Sequence, residues 1–185
     1  MLKISNLTLN RGVKNLVKDL NLNLSAGSAL LINGANGSGK STLASAIAGD
    51  FKITSGSIES SGKMGVLLQN LEIDFPITVS EFLSLAGNSQ INQEIINLIV
   101  AADLLDKKIT QLSMGQLQRV EIAQVIKLDP DIYVLDEPFS AQDQENTELL
   151  ISIFKELKAS GKCLLIINHI QLNLDGLIDQ TLNLD

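Results

Sequence analysis

The sequence predicts an α/β fold: a parallel sheet flanked by helices, a small antiparallel sheet at the N-terminus and a helical insert between two parts of the core. Short apolar runs alternate with segments of helical spacing in both halves of the chain. From about Asn70 to Lys127 the spacing turns mostly helical. Hydrophobic residues make up 45% of the chain but aromatics only 3%, so Leu, Ile, Val and Ala must build the core, which suits packed helix and sheet layers. One domain is expected at 185 residues, with a core of residues 1–69 and 128–185 and an insert of residues 70–127.

Leu2–Leu9 and Leu20–Leu24 alternate apolar and polar residues and read as an antiparallel pair joined by a polar loop containing Gly12. Ala29–Ile32 is a continuous apolar run, the mark of a strand buried on both faces. A helix is expected from Lys40 to Ala48, stopped by Gly49, followed by short strands at Gly56–Glu59 and Met64–Leu68. Thr78 and Glu81 match a capping box and start a helix that ends near Ala86. Gln90–Ala101 carries Ile91, Ile95, Leu98 and Ile99 at helical spacing, and Ser113 caps a helix reaching Lys127. Strands are expected at Ile132–Leu135, Cys163–Ile167 and Asp179–Leu184, with a helix around Glu145–Ala159. Strands separated by helices pair in parallel through right-handed crossovers.

The net charge of −7 argues against a general nucleic-acid binder, whose footprint is basic. A single cysteine, Cys163, leaves no internal disulfide and fits a reducing compartment. The opening MLKISNLTLN lacks the pattern of a signal peptide, and no apolar run is long enough to span a bilayer. Any membrane role must come through a partner.

GANGSGKS, Gly34 to Ser41, fits the phosphate loop G-x-x-x-x-G-K-[ST] and lies between an expected strand and an expected helix. Bare glycine backbone lets successive N–H groups converge on phosphate oxygens, and the helix start adds partial positive charge. Lys40 then reaches the β and γ phosphates, and the Ser41 hydroxyl suits Mg²⁺. DIYVLDEP, Asp131 to Pro138, is an apolar strand ending in two carboxylates, at the strand end where open α/β sheets bind ligands. Asp136 suits Mg²⁺ through water, and Glu137 is placed to orient or deprotonate an attacking water.

With these pieces the chain resembles the nucleotide-binding domain of ABC ATPases, a P-loop NTPase core, over essentially its whole length. Gly34, Ala35, Asn36, Gly37, Ser38, Gly39, Lys40, Ser41 and Thr42 look like the Walker A motif that binds ATP. Gln69 resembles the Q-loop glutamine that senses the γ-phosphate and Mg²⁺. LSMGQ, Leu112 to Gln116, is similar to the LSGGQ signature, which implies nucleotide contacts from Ser113, Gly115 and Gln116. Asp136 and Glu137 fall in the Walker B position, Asp143 in the D-loop and His169 in the H-loop. The resemblance implies ATP hydrolysis with Mg²⁺, in a head-to-tail dimer of two copies. It also implies a transmembrane permease partner that holds the domain at the cytoplasmic face of the cell membrane. Ser113 and Gly115, at a helix start, make a second phosphate-facing surface, which such a sandwich uses.

Several positions depart from the family pattern. Met114 replaces a glycine, Gln142 a leucine, and His169 is followed by Ile170. Arg11 stands where the family stacks an aromatic on adenine. NLEIDFPITVSEFLSLAG, Asn70 to Gly87, resembles the zinc and manganese importer branch, and Asn70–Ala86 reads as the segment that meets the permease, through Phe75 and Phe82. Arg11 looks more like the haem-exporter branch, and a soluble ATPase of iron–sulfur assembly is the further alternative.

Overall fold

The computed structural model describes residues 1–68, 76–87, 92–169 and 172–184. Along the chain run β1 (Leu2–Arg11), β2 (Lys14–Leu24), β3 (Ala29–Gly34), α1 (Lys40–Ala48), β4 (Ser55–Ser60) and β5 (Met64–Leu67). Helices α2 (Val79–Ser84), α3 (Gln93–Ile99) and α4 (Met114–Lys127) follow. β6 (Ile132–Asp136), α5 (Gln144–Ala159), β7 (Cys163–Ile167) and β8 (Gln180–Leu184) complete the order.

Five strands form a sheet in the order β5-β6-β7-β3-β8, every pairing parallel. The expected α/β class is therefore the observed one. All residues of β6 and β7 are buried, as their unbroken apolar runs require of strands covered on both faces. Ile132 and Val134 of β6 pack on one side with Leu43 and Ile47 of α1 and with Leu2 and Ile4 of β1. Tyr133 and Leu135 pack on the other with Val120 of α4 and Phe154 of α5. The period-two alternation of a strand thus serves two cores at once.

The antiparallel sheet has the order β2-β1-β4. Leu2, Ile4, Leu7 and Leu9 are all buried, although the step from Ile4 to Leu7 breaks period two. A register shift between Ile4 and Leu7 restores the phase, with Asn6 in the left-handed region at φ 49°. The expected loop between the first two strands is corrected: β2 begins at Lys14, and only Gly12 and Val13 form the turn. Consecutive Leu16 and Val17 hide β2 from an alternation test, whereas pairing with β1 enforces it.

Thr78 and Glu81 form the expected capping box: the Glu81 N–H donates to Thr78 Oγ1 at 3.2 Å, and the Thr78 N–H to Glu81 Oε2 at 2.7 Å. α2 stops at Ser84, two residues short of expectation. α3 starts at Gln93, and the expected start at Gln90 lies outside the described residues. Phe82, expected on the docking surface, is instead buried. It is 7% exposed and shares the core with Ile96, Ile99 and Val120, because α2 turns its apolar face onto α4. Phe75 lies outside the described residues. Phe82→Ala is expected to lower the stability of the fold by about 3 kcal/mol in chemical denaturation, the cost of a large buried cavity.

Glu121 on α4 is half-buried, and burial pushes its carboxyl up to about 7. Unfolded, it would ionise near ~4.3. The protonated form therefore favours the fold below that pH, and the contribution is lost as pH rises through about 7. Glu121→Gln should flatten stability between pH 5 and pH 8 and raise it at pH 8 by roughly 1–2 kcal/mol, allowing for solvent screening. Urea unfolding across that range measures both.

Candidate active site

The carboxyl edge of the parallel sheet gathers the residues of interest. β3 runs into the loop before α1, β6 ends at Asp136, and His169 follows β7 by two residues. The backbone N–H of Glu137 donates to Ile167 O at 2.9 Å, and that of Asn168 to Ile32 O at 3.2 Å. The three strand ends are thus bonded side by side, where parallel sheets bind ligands.

Gly34 cannot be replaced without moving the backbone: a Cβ there would sit 2.2 Å from Leu184 O on the neighbouring strand. Gly37 and Gly39 take φ of 80° and 105°, which glycine adopts freely. A Cβ on Gly39 would also lie 2.9 Å from the Leu16 side chain. α1 starts without a side-chain cap, so its first N–H groups stay available to an anion. The Lys40 ammonium, on a residue only 6% exposed, donates to Gly34 O at 2.8 Å and Ala35 O at 3.0 Å. The loop thereby holds a buried cation above an open cradle of donors.

A cleft of about 540 Å³ opens over this loop. Asn36, Lys40, Ser41, Thr42, Glu137 and His169 are among its lining residues, so the expected phosphate loop, base and histidine come together. His169 Nδ1 lies 2.8 Å from Glu137 Oε1. Glu137 adopts φ 55°, a left-handed backbone that costs a non-glycine residue on the order of 1 kcal/mol. It persists because its N–H is bonded to Ile167 O while its carbonyl accepts from the Ser140 N–H at 3.1 Å and from Gln118 Nε2 at 2.8 Å.

Asp136 is 2% exposed, and neither carboxylate oxygen makes a hydrogen bond of ordinary geometry among the described residues. Burial pushes its carboxyl pKa up, and the Ser41 hydroxyl and Lys40 ammonium counter only part of that shift. A divalent cation would compensate a buried carboxylate of this kind, and its hard oxygen donors suit Mg²⁺. The donor set of Asp136 and Ser41 therefore fits the metal. Gln69, the third expected ligand, lies outside the described residues.

Ser113, Gly115, Gln116 and Asp143 do not line the cleft. Ser113 caps α4: its Oγ accepts from the Gln116 N–H at 3.3 Å, and Gln116 Oε1 accepts from the Ser113 N–H at 3.0 Å. Asp143 caps α5, accepting from the Asn146 N–H at 2.8 Å. A Cβ on Gly115 would lie 2.4 Å from Ala141 O, so this glycine lets the first turn of α4 press on the loop after β6. Met114 beside it is 79% exposed.

Two lining residues escape a reading by motif, Lys14 and Leu16. Lys14 pairs directly with Arg11 across the hairpin end, and its ammonium donates to Gly37 O at 3.1 Å. The signal was the short RGVK turn, whose tightness brings the two cations to the same rim.

Comparison with known proteins agrees with this geometry. A family model described as "ABC transporter" matches residues 17–140. The zinc transport system ATP-binding protein TroB of Treponema pallidum is 30% identical over 190 residues, covering 90% of this chain and 71% of that protein. The taurine import ATP-binding protein TauB of Shigella flexneri is 34% identical over 190 residues, covering 91% and 73%. A dimeric post-hydrolysis structure of the ATP-binding cassette MJ0796, bound to ADP and Pi, superposes with a TM-score of 0.86 at 26% identity, over 100% of this chain and 94% of that one. The chain belongs to the ABC transporter family, as an ATP-binding subunit that hydrolyses ATP.

Proposed function

We propose that this subunit powers a membrane transporter from the cytoplasmic face of the membrane, held there by a permease, and that two copies work head to tail around two ATP sites. One observation carries the reading. The cleft joins Lys40, Glu137 and His169, while the capped turn at Ser113 lies outside its lining. A second copy would bring its own Ser113 turn over the first copy's cleft, and two-fold symmetry makes both sites equivalent. Residues 1–69 and 128–185 serve as the nucleotide-binding core, with 70–127 as the insert towards the permease. Among the described residues no helix is long and apolar enough to cross a membrane, so membrane contact rests on that partner.

In this mechanism the loop N–H groups and Lys40 hold the β and γ phosphates. Ser41, Asp136 and Gln69 would hold Mg²⁺, which would supply positive charge against the phosphate oxygens. Glu137 takes the proton of the attacking water as the bond to the bridging oxygen of ADP breaks. His169, 2.8 Å from the Glu137 carboxylate, fixes that group and offers its remaining edge to the γ-phosphate. For cargo we favour zinc or manganese import, supported by the FP-x-TV pattern at Phe75–Val79 and by the likeness to TroB. The likeness to TauB, a taurine import protein, leaves other cargo as the competing reading, and Arg11 favours a haem-exporter type. Copurification with a polytopic membrane protein separates all of these from a soluble iron–sulfur assembly ATPase.

Arg11, Lys14 and Leu16 line the cleft, and among the described residues no Phe, Tyr or Trp lines it. A stacking cation contributes only ~0.5–2 kcal/mol and distinguishes purines poorly. Competition binding should find ATP and GTP affinities within about tenfold of each other. Arg11→Ala should weaken both, and an ATP preference surviving that change would show that the base is read elsewhere.

The dimer is tested by complementation. Lys40→Ala and Ser113→Arg, each alone, damage every site of a homodimer. Mixed, their heterodimer keeps one intact site, so ATPase activity should return in part and depend on total protein concentration. Ser113→Arg also removes a helix cap of about 1 kcal/mol, so thermal midpoints are recorded alongside. Full, concentration-independent hydrolysis by Ser113→Arg alone would mean that the site is complete within one chain.

A further inference from the structure

Gln142, in the loop between β6 and α5, has a side-chain amide with no free end. Its Oε1 accepts from Arg119 Nη1 at 3.0 Å, and its Nε2 donates to Gly115 O at 3.2 Å and to Gln118 Oε1 at 2.8 Å. Gln118 carries the connection onward. Its Oε1 also accepts from the Ala141 N–H at 3.3 Å, while its Nε2 donates to Glu137 O at 2.8 Å and to Ser140 Oγ at 3.2 Å. Gln118 stands on α4 itself, one turn beyond the start that Ser113 caps, so its amide ties that helix directly to the backbone holding Glu137 in its left-handed conformation, and the Gln142 amide holds the Gln118 amide in that orientation.

We propose that Gln142 is a positioning residue: through Gln118 it locks the Ser113 turn to the Glu137 backbone, so the two phosphate-facing surfaces of one chain shift together. The geometry favours a rigid link. Gly115 lets α4 touch the loop backbone directly, and every bond of the two amides crosses from α4 to that loop. Arg119 fixes the outer end of the Gln142 amide, which leaves its Nε2 aimed at Gly115 and Gln118. An aliphatic side chain at this position would fill the space and carry none of the connection. In the head-to-tail dimer proposed above, on which this step rests, Ser113 faces one nucleotide and Glu137 acts on the other. Closure over the first would therefore be felt at the backbone of the second.

The test compares Gln142→Met, which keeps the volume and loses the bonds, with Gln118→Met, the double variant and Glu137→Gln. Gln142→Leu serves as a second replacement should the methionine variant be unstable. For Gln142→Met we expect kcat for ATP to fall roughly 10- to 100-fold, the range of a modest misplacement of a catalytic group, with KM unchanged. The thermal midpoint is recorded alongside, because the change also removes the bonds to Arg119 and Gly115. Amide hydrogen exchange across residues 137–142 should speed up, a change that a simple loss of packing elsewhere would not confine there. The double variant should be no slower than the slower single variant, as for two links of one chain. An unchanged kcat or unchanged exchange in Gln142→Met, with Glu137→Gln inactive, overturns the proposal and leaves the assignment of Glu137 standing. Multiplying effects in the double variant overturn the relay. Normal hydrolysis by Glu137→Gln overturns the site reading itself, and the proposal with it.

Discussion

The site depends on one constraint, the parallel pairing of β6, β7 and β3. Parallel strands end on the same edge, so three segments far apart in the chain deliver their next residues to one place. β3 delivers the glycine loop, β6 the carboxylates and β7 the histidine. Hydrogen bonds continue across the strand ends, from Glu137 to Ile167 and from Asn168 to Ile32, so the delivery is accurate as well as close. Beside β3, β8 brings Leu184 O so near to Gly34 that no larger residue fits the start of the loop.

That edge holds charges that water cannot fully solvate. Lys40 and Asp136 are buried within it, and Glu137 shares its carboxylate with His169. Lys40 is satisfied by carbonyls of its own loop, whereas the Asp136 oxygens lack ordinary hydrogen bonds among the described residues. An arrangement that leaves one buried carboxylate short of partners while opening helix N–H groups towards the same cleft favours an ion pair of the opposite kind, a polyanion with its cation. The chemistry of a nucleotide triphosphate with Mg²⁺ meets both needs.

Helix α4 spans the distance between this edge and the rest of the molecule. Its apolar face, with Val120, Ala123 and Ile126, joins the core shared by α2, α3 and the sheet. Its first turn carries Ser113 and rests on the loop after β6 through Gly115. One helix therefore belongs at once to the helical segment by its burial and to the active-site edge by its start.

The fold class, nearly every strand and helix, and the candidate residues of the glycine loop and the two carboxylates were legible in the sequence. These are local signals: the loop needs its glycines consecutively, and a strand buried on both faces must be apolar without a break. The caps at Thr78 and Ser113 were legible for the same reason, since the side chain and the N–H it bonds lie three residues apart. What depends on residues distant in the chain emerges only once the chain is folded. Folding turned a presumed loop into β2 because β1 lies alongside, and so placed Lys14 opposite Arg11. It buried Phe82, whose helix is too short to reveal a periodicity. It also joined Gln118 to Gln142 across 24 residues, a contact for which a single sequence holds no pattern because either amide alone reads as an ordinary polar surface residue.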